Sequence, residues 1–461
     1  MLKYTGISVP KDGRIGIMQV LKKLSHNKFL LALFLMLPCV CAASSKLSPL
    51  PAPEQITTKL VPLTISRSSV NIPQPLAAFV ETILQKNPTM QAANAAISAA
   101  AARAKAAGYP IYNPSLAGEY QDSVDTTYSA GINQTIDWAN KRKARHELGS
   151  ANLIVARAEQ SAVRLQLTST ILDAVVRYEG AKNVAKLAAE KTDILKQFVD
   201  LTKRRHQSGD VARVDVDLAQ LTLSEAISQQ ADANIALNNA LQVLRALSGE
   251  KEITIPSLPS TLPVLSVTQA EKSDLLEALP SVRVLESEYS SALARLRVAQ
   301  RDRYADPTVG VQGGEEQTKE EGSGGLLSLT LNVPLYVRNP YRAEVTASND
   351  DAIAAAQKRQ AILQQANAEM ESSSERYQLL RKSVAQWQLV SKNPLQDGTA
   401  LVQRMWEAGE INTTDYLIQI KQRIDSQIAG IDLQYRAWQA WVEWLKASGT
   451  TEYWIMHKNN K

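Results

Sequence analysis

The run Arg205-His206-Gln207-Ser208-Gly209-Asp210-Val211-Ala212-Arg213-Val214-Asp215 comes back as Met405-Trp406-Glu407-Ala408-Gly409-Glu410-Ile411-Asn412-Thr413-Thr414-Asp415, with the glycine and the last aspartate each displaced by 200 residues. In both copies a long, polar, alanine-rich helical pattern meets a glycine, an acid and a branched aliphatic residue, and an aspartate then opens a new helical pattern. Glycine suits the left-handed residue that ends a helix, and the aspartate or Thr/Asn cluster suits the start of the next one. Ser248-Gly249 and Ser448-Gly449 close the two copies at the same spacing, so one structural unit is written twice.

Outward from the first turn, the preceding helical period runs back without a proline to Lys141, with apolar pairs such as Ile171/Leu172 and Val175/Val176 at three- to four-residue spacing. About 65 residues at a rise of ~1.5 Å make a helix on the order of 100 Å long, which belongs to a coiled assembly. Before it the period changes. Tyr128, Ala130, Ile132, Ile136 and Trp138 alternate with Ser129, Gly131, Asn133, Thr135 and Asp137, with a lapse at Gln134. This predicts a hairpin with strands over about 115–121 and 127–138. Upstream, helical patterns run from Pro75 to Asn87-Pro88 and on to Gly108-Tyr109-Pro110. The first repeat is thus 75–250, followed by a Pro-rich linker at 251–268. The second repeat, 269–449, has the same order: a helix from Gln269 to Arg303, strands at 308–312 and 326–335 around a loop from Gly313 to Gly325, a long helix from Tyr341 to Glu407, and a return helix from Asp415 to Ala447. Residues 450–461 form a tail.

The charge is concentrated at the start. Lys3, Lys11, Arg14, Lys22, Lys23 and Lys28 against Asp12 account for the formal +5, and the rest of the chain is neutral, which argues against nucleic-acid binding. Residues 1–42 read as a secretory signal: the lysines precede the apolar run Phe29 to Leu37, and Val40 and Ala42 suit a signal-peptidase site. Met18 offers a second start that leaves an ordinary signal peptide. Cys39 and Cys41 are the two cysteines, and lipidation of either would have Pro38 or Val40 before it. The mature chain is therefore expected to carry no disulfide and no thiolate. Residues 43–74, rich in Ser, Pro and Thr, form an extended N-terminal segment. Past the leader there is no apolar run near 18 residues, so a membrane would be spanned by strands.

The expected fold class is mainly α with a small β part. Four strands cannot close a barrel, and an open edge in lipid leaves backbone groups unpaired. Several chains must pool their strands. Two chains would give a barrel filled by side chains, and three a 12-stranded barrel with an aqueous lumen. The polar face of Ser129, Asn133, Asp137, Ser328, Thr330 and Asn332 favours three.

Asn87-Pro88, the Tyr-Asn-Pro run at Tyr112 to Pro114 with its hairpin and following Lys141-Arg142, and the paired Gly-x5-Asp turns together resemble the outer membrane efflux proteins of Gram-negative bacteria typified by TolC. Val333-Pro334-Leu335-Tyr336-Val337-Arg338-Asn339 is similar to a signature of the CzcC-like heavy-metal branch. The resemblance implies a homotrimer with a 12-stranded outer-membrane β-barrel and a periplasmic α-helical tunnel. It implies a passive duct in contact with outer-membrane lipid, a periplasmic adaptor (membrane fusion) protein and an inner-membrane pump of the RND type. Heavy-metal cations are the implied cargo, with multidrug efflux or type I protein secretion as alternatives. On the same resemblance Gly209, Asp215, Gly409 and Asp415 form the periplasmic gate and adaptor-docking tip. The family's arginine two residues past the second glycine is replaced here by Ile411, and Arg205 and Arg213 are the cations available instead.

Each feature also has a plainer reading. Asp215 and Asp415 would serve as helix N-terminal residues whether or not they gate. His146, His206 and His457 have no partner at metal-ligand spacing, and the Glu315, Glu316, Glu320 and Glu321 cluster reads as a solvated outer loop. Tyr435, Trp438, Trp441 and Trp444 read as packing, placed where the helices widen near the barrel. No phosphate loop or nucleophile elbow is present, so neither a cofactor nor an enzyme is expected. The alternative outside the channel class is a noncatalytic periplasmic coiled-coil structural protein.

Overall fold

The computed structural model describes residues 74–456 apart from 124, 319–321 and 397. These belong to one of the two compact units into which the chain divides, Leu63–Lys461. The expected signal sequence, both cysteines, residues 43–73, Glu320, Glu321 and His457 lie outside the described residues.

Each repeat begins with two helices broken at a proline. In the first, α1 (Gln74–Lys86) and α2 (Pro88–Ala107) are separated by Asn87, extended at ψ 126°, whose side chain accepts from the Thr89 amide. The second breaks in the same way: the helix expected to run unbroken from Gln269 to Arg303 is instead α5 (Gln269–Ala278) and α6 (Pro280–Asp302), with Leu279 extended at ψ 127°. The cause is Pro280, whose ring disfavours a helical residue before it.

The strands follow: β1 (Ser115–Asp122) and β2 (Thr126–Thr135) in the first repeat, β3 (Thr308–Thr318) and β4 (Gly322–Asn332) in the second. They form one antiparallel sheet in the order β1-β2-β3-β4, so the two hairpins join through β2 and β3. Several expected strand boundaries move. The second hairpin reaches well into the Gly-rich segment expected as a loop, because ladder pairs such as Gly314↔Leu326 and Glu316↔Gly324 need only backbone. β2 stops at Thr135 rather than Trp138, because Asp137 turns away to accept from the Lys141 and Arg142 amides at 2.7 and 2.8 Å, opening the next helix. β4 likewise stops before Pro334, which has no amide hydrogen for a ladder.

The long helices α3 (Lys141–Gln207, 67 residues) and α7 (Arg342–Gln396) leave the sheet. In the second repeat the run passes through Pro394, and a short α8 (Gly398–Glu407) completes it. The return helices are α4 (Arg213–Ser248) and α9 (Thr413–Ala447), and α10 (Thr451–Met456) follows.

The largest core lies around the middle of these helices. Leu76, Val80 and Leu84 of α1 meet Ile171, Leu172 and Val175 of α3, with Trp438, Trp441 and Trp444 of α9 and Trp454 of α10. The tryptophan stripe is therefore core packing, as expected, but it belongs to this cluster and not to the region next to the sheet. The Pro-rich 251–268 segment has no regular structure, yet Ile253, Ile255, Leu258, Leu262 and Leu265 pack against the same core. Tyr377 ties it down by donating its hydroxyl to the Pro263 carbonyl. It is a strap across the bundle more than a linker.

Candidate functional site

At the far end of the long helices the two turns share one geometry. Gly209 and Gly409 are left-handed at φ 85° and 78°. The glycine amides donate to His206 O and Trp406 O at 3.0 Å, and the next amides reach one residue further back, Asp210 N to Arg205 O and Glu410 N to Met405 O, both at 2.8 Å. This double closure of helix-end carbonyls is what a left-handed residue after the helix permits. The aspartates then diverge. The Asp215 carboxylate accepts from the Ala212 amide at 3.1 Å and so caps α4. In the second copy Asn412 caps α9 by accepting from the Asp415 amide at 2.8 Å, and Asp415 itself is exposed.

The turns are fastened to each other by an aromatic cluster. Phe198 lies 4.7 Å from Trp406 and 4.4 Å from Tyr416, ring centre to ring centre. Arg205 stacks over the Trp406 ring at 4.8 Å and donates to the Trp406 carbonyl at 3.1 Å. Ile411 packs against this cluster. Where the resemblance implies an arginine, the tip has an apolar residue, and Arg205 engages a ring and a carbonyl instead of a carboxylate. Burial, with Glu407 adding to it, pushes the Tyr416 hydroxyl up to about 12, so it stays neutral.

Two ion pairs lie next along the bundle. Lys421 of α9 donates to both Glu225 oxygens of α4, at 2.8 and 3.1 Å. Lys191 of α3, nearly fully buried, reaches Asp425 at 3.0 Å and Gln229 at 2.9 Å. The sequence reading missed these pairs. A signal was present, since Glu225 and Asp425 are again 200 residues apart, but each lysine comes from the other copy.

At the other end of the helices, below the sheet, a second polar network joins the repeats. Asp306 of the second copy accepts from the Tyr112 hydroxyl at 2.6 Å and from the Lys141 ammonium at 2.8 Å, both from the first copy. The Lys141 and Asp306 side chains are both almost wholly buried. The Ile136 amide donates to the Pro307 carbonyl at 2.8 Å beside them.

The sheet above has two distinct faces. Leu116, Ile132, Val311 and Leu329 form one continuous row across all four strands, and each is about half or more exposed, from 49% to 85%. The next row, Ser115, Asn133, Gly310 and Thr330, is polar or small. Gln134 falls in the apolar rows but donates to the Tyr112 and Thr135 carbonyls, which accounts for the lapse in alternation. Asp137, expected on the polar face, is instead the cap of α3. Among the described residues no His, Cys, Asp and Glu are grouped to hold a metal ion, and no helix is long and apolar enough to cross a membrane.

The family model described as "Outer membrane efflux protein" matches residues 79–250. Nickel-cobalt-cadmium resistance protein NccC of Alcaligenes xylosoxydans xylosoxydans is 28% identical over 58% of this chain and 62% of its own length. Cobalt-zinc-cadmium resistance protein CzcC of Cupriavidus metallidurans is 26% identical over 50% and 56%. The chain thus aligns with about three fifths of the length of these relatives. Among solved structures, a membrane protein from Pseudomonas aeruginosa superposes with a TM-score of 0.70 at 18% identity, covering 88% of this chain and 97% of that one. The Campylobacter jejuni CmeC outer membrane channel gives 0.67 at 17% identity over 89% and 95%. The duplicated helix-hairpin-helix unit and the joined four-stranded sheet agree with these matches: residues 79–250 match the outer membrane efflux protein family, and the fold is that of the solved outer membrane channels.

Proposed function

We propose that three copies of this chain form an outer-membrane duct, the exit subunit of a tripartite efflux system that passes heavy-metal cations delivered by an inner-membrane pump. The observation that carries the reading is the four-stranded sheet: an exposed apolar row crosses it, and β1 and β4 each have a neighbour on one side alone. In lipid such edges must pair, and pairing with further copies closes a barrel. Strands of 8 to 11 residues are about long enough to cross a tilted barrel wall. The long helices then extend the lumen through the periplasm.

The cargo follows from the names of the relatives, nickel-cobalt-cadmium and cobalt-zinc-cadmium resistance proteins. A duct needs no tight metal site, because tight binding slows release. The two turns containing Gly209, Asp215, Gly409 and Asp415 are the periplasmic tip, where the duct closes and meets a periplasmic adaptor protein, with an RND-type pump beyond it. Threefold repetition would place the exposed Asp415 carboxylates in a ring that favours cations.

The test has two parts. Outer-membrane fractions should contain a heat-modifiable trimer of the mature chain, and a soluble monomer there would overturn the duct. Loss of the gene in its native host should reduce tolerance to cobalt, nickel or cadmium while leaving tolerance to amphipathic dyes unchanged; the reverse pattern would overturn the cargo. Asp415→Ala should weaken cation preference in planar-bilayer recordings, and unchanged selectivity would remove that residue from the tip's function.

A further inference from the structure

The sheet is strongly polarised in charge along its strands. At the outer turns the sequence places Asp122, Asp125, Glu315 and Glu316, with Glu320 and Glu321 between the last two strands. At the opposite end every crossing between strand and helix carries an exposed cation: Lys105 before β1, Arg142 and Lys143 after β2, Arg303 before β3, Arg338 and Arg342 after β4. The nearby carboxylates are already engaged. Asp137 caps α3, Asp302 lies 3.7 Å from Arg145, and Asp306 holds Lys141. Among the described residues no ion pair is formed by any of the six cations.

Helix stability does not explain them all. Arg142 and Lys143 sit in the first turn of α3, where the helix dipole disfavours positive charge. They also line a cavity of about 670 Å³ with Tyr112 and His146. Large apolar and aromatic side chains project at the same level: Trp138 is 62% exposed, Tyr109 and Tyr304 58%, and Leu335 77%. Aromatic residues next to cations at the end of a lipid-facing surface are placed to meet headgroups.

We propose that this belt binds the phosphate groups of anionic phospholipids in the periplasmic leaflet of the outer membrane, an inference that rests on the membrane-spanning reading above. The continuity of the exposed rings with the apolar sheet face favours lipid over an acidic protein surface. The complementary charge is the phosphate diester, and cations near an anionic leaflet act additively.

The test uses the full mature protein in nanodiscs of phosphatidylcholine, and of an equimolar mixture with phosphatidylglycerol, with retained lipid counted by native mass spectrometry. Phosphatidylglycerol should be retained several-fold in excess. Replacing four cations (Arg142→Gln, Lys143→Gln, Arg338→Gln, Arg342→Gln) should remove most of that excess and bring the two lipids close to equal retention. The charge-keeping set Arg142→Lys, Arg338→Lys and Arg342→Lys should preserve it. Equal retention of the two lipids by the unmodified protein would overturn the proposal. If the glutamine variant fails to assemble, a salt titration of the unmodified protein decides: the excess must fall as salt rises, and a salt-insensitive excess overturns it. Failure of the membrane-spanning reading would look different, since the chain would then not enter phosphatidylcholine discs at all.

Discussion

Asp306 shows how much one buried residue can hold. Its carboxylate takes the Lys141 ammonium and the Tyr112 hydroxyl out of water together, and in doing so joins a strand entry of one repeat to a helix start of the other. Removing one partner strands a charge. Asp306→Ala should therefore cost about 3–5 kcal/mol, seen as a fall in the protein's unfolding temperature, whereas the paired change Lys141→Met with Asp306→Leu should cost far less. A double variant as damaged as the single one would show that the network does more than compensate charge. Glu225 and Lys421 behave differently because both are about half exposed. The hydrogen bond from Lys421 holds the Glu225 carboxyl below its ordinary value, and Glu225 in turn raises Lys421. A depressed acid contributes stability above its ordinary pKa and loses it as pH falls through the lowered one. A raised lysine contributes below its ordinary pKa and loses it as pH rises through the raised one. The bridge is thus intact across neutral pH and opens in acid. For the proposed duct, conductance should increase as pH is lowered below the ordinary carboxylate range, and Lys421→Met should flatten that response.

At the scale of elements the duplication sets the order of events, and the turns are its strictest part. A side chain at a left-handed position costs about 1–2 kcal/mol, so Gly409→Val should loosen the turn between α8 and α9 and increase baseline current in planar bilayers, while Gly→Asn at the same position should be tolerated. Unchanged current in the valine variant would mean that the turn does not contribute to closure. These turns and the long helices were legible because helix period and helix-ending glycine are local signals. The sheet's apolar rows were legible for the same reason. What escaped was set by contacts between the copies or by backbone alone. Nothing local to Gly313 or Gly324 marks a strand, since their pairing partners do that work. Lys191–Asp425 and Lys141–Asp306 each join residues more than 160 positions apart. The break at Leu279-Pro280 was readable, since Asn87-Pro88 already showed the same device. In the candidate site the glycines were visible, but the different roles of Asp215 and Asp415 depend on Ala212 standing where the other copy has Asn412.

For the whole molecule the decisive question is which face of the sheet meets lipid, and neighbouring residues of β4 can answer it. Leu329 pairs with Val311 in the apolar row and is 70% exposed, whereas Thr330 pairs with Gly310 in the polar row. Both positions are open in a single chain, so an arginine fits sterically at either. Their surroundings differ only once copies assemble in a membrane. An arginine on the lipid face near the bilayer midplane costs about 2–4 kcal/mol per chain, and one in an aqueous lumen costs little. Leu329→Arg should therefore deplete the assembled trimer from outer membranes. Thr330→Arg should assemble normally and, by adding a ring of positive charge to the lumen, reduce cation conductance. If both variants assembled equally well the sheet would not be embedded in lipid. If Thr330→Arg were the depleted one, the apolar row would face inward, and the barrel would be closed in the opposite sense to the one its exposed leucines imply.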